Sequence, residues 1–270
     1  MTIHPFDAAI QLEKSTEGNF VATTAKPYAN MAGPFGGVTS ASMMRAVLLD
    51  ERLLGDPVSL TVNFCAAIKD GAYTISTRLV RGGKHTQHWM IEVIQNEVIC
   101  NTATLITGMR RAEFSHQTAS APDIPDWTEC EVLTQNMFLG WLNCYDFRYV
   151  EGPPPMPEAD TGQIHPARSV MWVNDSPARP LDYFSLAAIS DSFILRLLHL
   201  RRTFVPMGTV SLTTHFIASR DEIAEQGTTP LLGISEAMRF HGNFHDQHMQ
   251  FFGKGGKLMA SGSQLVWFRQ

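Results

Sequence analysis

A seven-residue stretch of this chain occurs twice, and this internal repeat constrains the fold more than any other sequence feature. VSLTVNF at Val58–Phe64 returns as VSLTTHF at Val210–Phe216, with five of seven positions identical and starting positions, 58 and 210, that differ by 152. Each copy follows a segment of helical character and precedes three segments of strand character. Because the surroundings repeat as well, the sequence predicts two tandem copies of one structural unit.

The helical segment of each copy lies directly before the repeated strand, at residues 36–54 and 181–200. Both segments place long apolar residues at steps of three and four, carry few internal β-branched residues and contain no internal proline. Their apolar residues cover much of the helix circumference. We therefore expect each to form one helix that is wrapped by its own sheet.

Strand-like segments follow each repeat, and turn signals such as Arg81-Gly-Gly-Lys84 separate them. In the first of them, Tyr73, Ile75 and Leu79 alternate with polar residues, which is typical of a sheet with one covered face. The predicted strands are Tyr73–Arg81, Thr86–Gln95 and Val98–Met109 in the first copy, and Pro230–Phe240, Gln247–Gly253 and Lys257–Arg269 in the second. The fold class is α+β, with a helix and an antiparallel meander used twice.

A change in composition separates the two copies. Residues 111–166 include polar, proline-bearing stretches, and Gly152–Pro157 cannot continue a helix or a central strand. Two short segments, Phe147–Glu151 and Ser169–Val173, resemble opening strands of the second copy. We predict an N-terminal unit over 1–110, a linker with an opening strand over 111–166, and a C-terminal unit over 167–270.

Composition and charge exclude several function classes. The chain has 270 residues, 44% hydrophobic and 17% charged, with a net charge of -5. Scattered basic residues in an acidic chain argue against a nucleic-acid partner. No apolar run approaches the roughly 18–20 residues of a membrane helix, so we expect a cytoplasmic protein. Exposed sheet edges favour assembly into a homo-oligomer of two or more copies.

Three histidines, His241, His245 and His248, suggest a metal site at first sight. Spacings of four and three bring ligands together on a helix, whereas the Gly-Asn pair and the flanking aromatic residues favour a hairpin. We therefore expect a solvated turn here, with neither a metal nor a cofactor in the protein.

Several motifs in order along the chain resemble the double hotdog acyl-CoA thioesterases, the medium- and long-chain acyl-CoA hydrolases of bacteria and their relatives. These motifs are GPFGGVT at Gly33–Thr39, VRGGK at Val80–Lys84, LAAISD at Leu186–Asp191 and ASGSQLV at Ala260–Val266. The resemblance covers nearly the whole chain. It implies a double hotdog fold, in which each unit is a long helix wrapped by an antiparallel sheet, and an acyl-CoA substrate.

In that family an Asp, a Thr and a Gln of the second unit hold the attacking water, and the matching positions here are Asp191, Thr209 and Gln264. The chemistry needs such groups, because thioester hydrolysis requires a positioned water, a carboxylate that accepts its proton and donors for the oxyanion. An Asp within an apolar helical stretch and a Gln on a core-facing strand both need partners. For the oxyanion we expect backbone amides of Gly36 and Gly37.

Position 39, which is 152 residues before Asp191, holds Thr39, so one site per chain is expected. The main alternative is a hotdog protein that binds acyl-CoA or acyl chains without hydrolysing them. A hotdog dehydratase or hydratase is a weaker alternative, because those enzymes usually rely on an active-site His and neither helix entrance carries one in a matching position.

Overall fold

Most strands of the protein pair in one large antiparallel sheet, and buried and exposed residues alternate along many of them. The structure, a computed structural model, describes residues 3–111, 114–133, 139–159 and 161–269. In the first half the elements are α1 (Pro5–Ala9), β1 (Glu13–Thr16), β2 (Asn19–Thr23), β3 (Ala29–Asn30), β4 (Gly33–Pro34), α2 (Gly36–Leu48), β5 (Asp56–Phe64), β6 (Ala72–Gly82), β7 (Thr86–Gln95) and β8 (Val98–Gly108).

The second half repeats this order with a few additions. Its elements are β9 (Tyr145–Glu151), β10 (Arg168–Asp175), α3 (Tyr183–Ile189), α4 (Arg196–Arg201), β11 (Met207–Phe216), α5 (Arg220–Gln226), β12 (Leu231–Glu236), β13 (Phe240–His241), β14 (Phe244–Phe252) and β15 (Leu258–Phe268). The opening strands predicted at Phe147–Glu151 and Ser169–Val173 lie in β9 and β10. The segment predicted as one strand at Pro230–Phe240 is shorter, because β12 ends at Glu236.

The sheet runs across both halves in the order β1-β2-β6-β7-β8-β5-β11-β15-β14-β12-β10-β9, with β13 added beside β14. The two copies of the repeated strand, β5 and β11, lie next to each other and antiparallel. Thr61 pairs with Thr213, and Ser59 and Asn63 pair with His215 and Ser211. Since Thr213 is the repeat of Thr61, a local two-fold axis passes through this pair.

The helix α2 is buried on almost all sides, as the sequence predicts. Ten of its residues are buried, among them Met43, Met44 and Val47. It packs against the strands of the first half and against α3 of the second half. Its small residues, such as Ala41 and Ala46, allow this close packing on several sides.

The prediction of one continuous helix over 181–200 is wrong. The helix α3 ends at Ile189 and α4 begins at Arg196, with Asp191 in the segment between them. The hydroxyl of Ser190 donates to the carbonyl of Leu186 at 2.8 Å, and the amides of Asp191 and Ser192 donate to carbonyls three residues back at 3.1 and 2.9 Å. Ser and Asp side chains compete with helical backbone bonds, and a run of three of them ends the helix here.

The side chain of Arg110 joins the two halves beside the central strand pair. Its guanidinium donates to the carbonyls of Phe216 at 2.6 Å, Ile217 at 3.0 Å and Pro57 at 3.1 Å. Pro57 is the second residue of β5, Phe216 is the last residue of β11, and Ile217 follows it directly. The guanidinium of Arg110 therefore donates hydrogen bonds to carbonyls from both halves of the chain.

Arg110→Met should lower the free energy of unfolding by about 2 kcal/mol, because hydrogen bonds from a charged donor are lost and the carbonyls keep no partner. Urea unfolding followed by circular dichroism measures the change. Arg78→Met is the matched control, since Arg78 is exposed. Within the described ranges, its side chain donates a hydrogen bond only to the sulfur of Met90. Equal midpoints for the two variants would contradict the assigned role.

Candidate functional site

Asp191 lies in the break between α3 and α4, where the N-terminus of α2 approaches it. Its carboxyl accepts a hydrogen bond from Nε2 of Gln264 at 2.5 Å and another from the backbone amide of Gly37. Gly36 leaves no space beside it, because a Cβ on Gly36 would lie 2.5 Å from Oδ2 of Asp191. The carboxyl thus has partners from both halves of the chain, and Asp191 as a whole residue is partly exposed.

Burial raises the pKa of Asp191 to about 7, and the hydrogen bonds from Gly37 and Gln264 oppose that rise. Removal from water disfavours the carboxylate, whereas donors that point at it favour the charged form. A carboxyl that titrates near neutrality is able both to accept and to release a proton at physiological pH.

Gln264 lies on β15 with its side chain toward the covered face, and it is 3% exposed. It stands opposite Leu212 of β11 on one side and Gln247 of β14 on the other. Its Oε1 accepts from Nε2 of Gln247 at 2.6 Å, and its Nε2 donates to Asp191. The structure therefore brings together two of the three side chains to which the sequence pointed.

Thr209 lies near the start of β11, just before an irregularity in the pairing between Thr209 and Ser211. The extra residue, Val210, shifts the alternation, so that Thr209 stands opposite Val266. Val266 shares the covered face with Gln264, two residues away, or roughly 7 Å along the strand. The bulge thus places half-buried Thr209 on the face of the site, although no hydrogen bond joins it to Asp191 or Gln264.

Gly36 and Gly37 are the first two residues of α2, as expected for a helix entrance. The amide of Gly37 is engaged by Asp191, so in this arrangement it serves the carboxylate. The first amides of a helix have no partner within the helix, and the amide of partly accessible Gly36 is one of these. Within the part of the chain that the structure describes, no acceptor engages the amide of Gly36, so of the two glycines proposed from the sequence it retains the free donor.

Among residues 3–111 of the first half, the structure shows no second copy of this site. The strand register makes Leu105 the counterpart of Gln264 and Trp89 the counterpart of Gln247. Pro57 occupies the position of Thr209, and the hydroxyl of Thr39 faces the carbonyl of Phe35 at 3.4 Å. The expectation of one site per chain agrees with these apolar replacements.

The histidine run forms a hairpin between β13 and β14, as the sequence predicts, with Gly242 and Asn243 at positive φ in its turn. His245 departs from the prediction of a solvated turn, because it is 1% exposed and its ring centroid lies 4.7 Å from that of Phe240, with the two rings tilted by 33°. Within the described ranges, no group of three or more His, Cys, Asp or Glu side chains is arranged to hold a metal ion.

Two residues of the site escaped the sequence analysis. Gln247 is 0% exposed and bonds to Gln264, and Arg196 is 0% exposed at the start of α4. The signal for Gln247 was its position in phase with His245 and Met249 on the covered face of β14. The alternation of that strand becomes readable once the hairpin turn is placed at Gly242.

An antiparallel sheet wrapped around a buried helix defines the hotdog class of proteins, and comparison with solved structures agrees. A conserved hotdog-fold protein of unknown function from Alicyclobacillus acidocaldarius is 34% identical, with a TM-score of 0.93, over 100% of this chain and 99% of that one. An acyl-CoA thioesterase II from Mycobacterium marinum shares 16% identity and a TM-score of 0.75, over 98% of each chain. At that identity the likeness shows the fold alone.

Family models identify the chain further. The model of the acyl-CoA thioesterase N-terminal domain matches residues 24–108, and the model of the C-terminal domain matches residues 116–268. The chain therefore belongs to the acyl-CoA thioesterase family. The comparison with curated proteins gave no match. None of the helices in the described ranges combines the length and the hydropathy that a membrane span requires.

Replacing Asp191 by Asn should change the pH dependence of stability. Between the unfolded pKa of 3.8 and the folded pKa of about 7, the native parent keeps a proton that its unfolded chain releases. The parent therefore loses stability as pH rises through this window, and the Asn variant lacks that loss. Between pH 4.5 and pH 8, the free energy of unfolding of the variant should therefore rise by roughly 2–4 kcal/mol relative to that of the parent.

Urea unfolding of both proteins at several pH values measures this difference. Asp175, whose burial raises its pKa to about 6, contributes equally to both proteins and cancels. A difference in unfolding free energy that stays constant from pH 4.5 to pH 8 would show that Asp191 titrates normally.

Proposed function

We propose that this chain hydrolyses acyl-CoA or a related acyl thioester to the free acid and the thiol, with Asp191 as the general base. The proposal rests on the carboxyl of Asp191, whose pKa is raised to about 7 and which accepts hydrogen bonds from Gln264 and Gly37. Membership in the acyl-CoA thioesterase family supports the reaction class. The residues of the site support the mechanism.

The reaction begins with a water molecule beside Asp191. Gln264 uses one amide hydrogen on Asp191, so its second amide hydrogen remains to orient the water, and the hydroxyl of Thr209 shares the same face. The carboxylate of Asp191 accepts a proton as the water oxygen bonds to the thioester carbon. Holding the water in this way removes much of the entropy cost of its attack.

The tetrahedral intermediate carries a negative oxygen, and the amide of Gly36 is the donor that we assign to it. Gly36 lies beside Asp191, and its amide belongs to the open N-terminus of a thirteen-residue helix. Collapse of the intermediate breaks the carbon–sulfur bond. The departing thiolate takes the proton back from Asp191, which restores the carboxylate.

The fold supports a more specific architecture, that of two tandem hotdog units. The strand order mirrors itself about the pairing of β5 with β11, and the register exchanges Ser59 and Asn63 with their repeats. We propose the boundaries 1–110, 111–166 and 167–270 for the first unit, the linker and the second unit. Assembly into a homo-oligomer and a cytoplasmic location remain predictions.

Asp191→Asn should lower thiol release from acyl-CoA by at least a hundredfold, because the amide of Asn cannot take the proton that Asp191 accepts from the water. A thiol-release screen over acyl chain lengths, run on the parent and the variant, measures the effect. Asp221→Asn is the matched control, since Asp221 is exposed in the first turn of α5.

Unchanged turnover in the Asp191 variant would refute the proposed base. If acyl-CoA raises the melting temperature of the parent but no thiol is released at any chain length, the protein is a binder. A screen of chain lengths on the parent therefore decides between the two functions.

A further inference from the structure

Gln247 lies on β14 directly opposite Gln264, and its side chain is completely buried. A buried amide needs partners for both its oxygen and its nitrogen. Gln247 finds them on two sides: its Oε1 accepts from the backbone amide of Arg196 at 3.1 Å, and its Nε2 donates to Oε1 of Gln264 at 2.6 Å. It therefore lies between the start of α4 and the site.

The direction of these bonds follows from the backbone amide at one end. An N–H can only donate, so the atom of Gln247 that faces Arg196 must be the oxygen. Its nitrogen then faces Gln264, which must present its own oxygen to Gln247. The nitrogen of Gln264 is thereby left to face Asp191, as the 2.5 Å bond between them requires.

The side chain of Arg196 holds that backbone amide in place. Arg196 is the first residue of α4, where the helix itself offers no acceptor for its amide. Its guanidinium donates to the carbonyl of Ile194 through Nε at 2.9 Å and to the hydroxyl of Ser169 through Nη1 at 2.6 Å. These bonds fix the segment that leads from Asp191 into α4.

We propose that Gln247 is a positioning residue for hydrolysis. Its oxygen accepts from the Arg196 amide, so its nitrogen donates to the oxygen of Gln264 and holds the amide nitrogen of Gln264, not its oxygen, toward Asp191. We call this chain of hydrogen bonds from Arg196 through Gln247 and Gln264 to Asp191 the relay. This inference rests on the proposed role of Asp191 as the base. An inverted Gln264 would place its oxygen against the carboxylate and leave no N–H for the water.

The relay predicts a double-mutant cycle with strong coupling. Gln247→Met should lower kcat roughly tenfold with KM changed less than threefold, because Gln264 loses the bond that orients it. Gln264→Met should lower kcat more. The double variant should be no slower than Gln264→Met within a factor of about three, since Gln247 acts only through Gln264.

A second buried glutamine supplies the matched control. Gln226 is 1% exposed, accepts from the amide of Lys254 at 2.8 Å and donates to the carbonyls of Thr229 and Pro230. Gln226→Met also leaves a backbone amide without its acceptor, so it should cost similar stability in urea. It lies outside the relay and should keep the kcat of the parent.

Gln247→Glu tests the same relay without removing the acceptor for Arg196. A carboxylate at 247 competes with Asp191 for the amide nitrogen of Gln264, so the acid limb of the kcat profile should move to higher pH by about one unit. The charge alone would act equally in the Gln264→Met background. A shift that is larger in the presence of Gln264 is therefore the expected result.

Parent-like kcat in both Gln247 variants would overturn the relay. It would also be overturned if Gln247→Met lowered kcat by the same factor in the parent and in the Gln264→Met background. Asp191→Asn in the same assays separates the two claims. If that variant is inactive while the Gln247 variants are not, only the relay fails. If Asp191→Asn is fully active, the proposed base fails and the relay falls with it.

Discussion

The pairing of β5 with β11 is the contact on which the rest of the structure depends. Each strand meets its own repeat, and the hydroxyls of Thr61 and Thr213 lie 3.0 Å apart at the centre. Because the two copies of the repeat pair antiparallel, the halves share one continuous sheet and are related by a local two-fold axis. That axis brings the start of α2 from the first half against the end of α3 from the second.

The site is a consequence of this contact. Gly37 from the first half donates to Asp191 from the second, and Gln264 approaches from the central part of the sheet. Neither half alone would provide all partners of the carboxyl. The duplication is also unequal, because Trp89 and Leu105 replace the pair of glutamines in the first half. The apolar side chains in the first half pack in the core, whereas their polar counterparts in the second half form hydrogen bonds in the candidate site.

The sequence predicted much of this fold, because the alternation of residues such as Tyr73 and Ile75 and the apolar α2 segment reflect burial directly. It also indicated which carboxyl and which amide meet, through the resemblance at Asp191 and Gln264. The break after Ile189 was missed, since apolar periodicity continues through 181–200 and hides the local competition of Ser190 and its neighbours for backbone bonds. The bulge at Val210 and the partners of Gln247 depend on register between strands, which no single segment encodes.

We propose that Asp191 activates water and forms no bond to the acyl group. A single turnover of acyl-CoA in water enriched in oxygen-18, followed by mass spectrometry of the released acid and of the peptide that contains Asp191, tests it most directly. Direct attack by water predicts that the label enters the carboxylate of the product and that Asp191 remains unlabelled. Label in the side chain of Asp191 would reveal an acyl anhydride with the enzyme and contradict the mechanism.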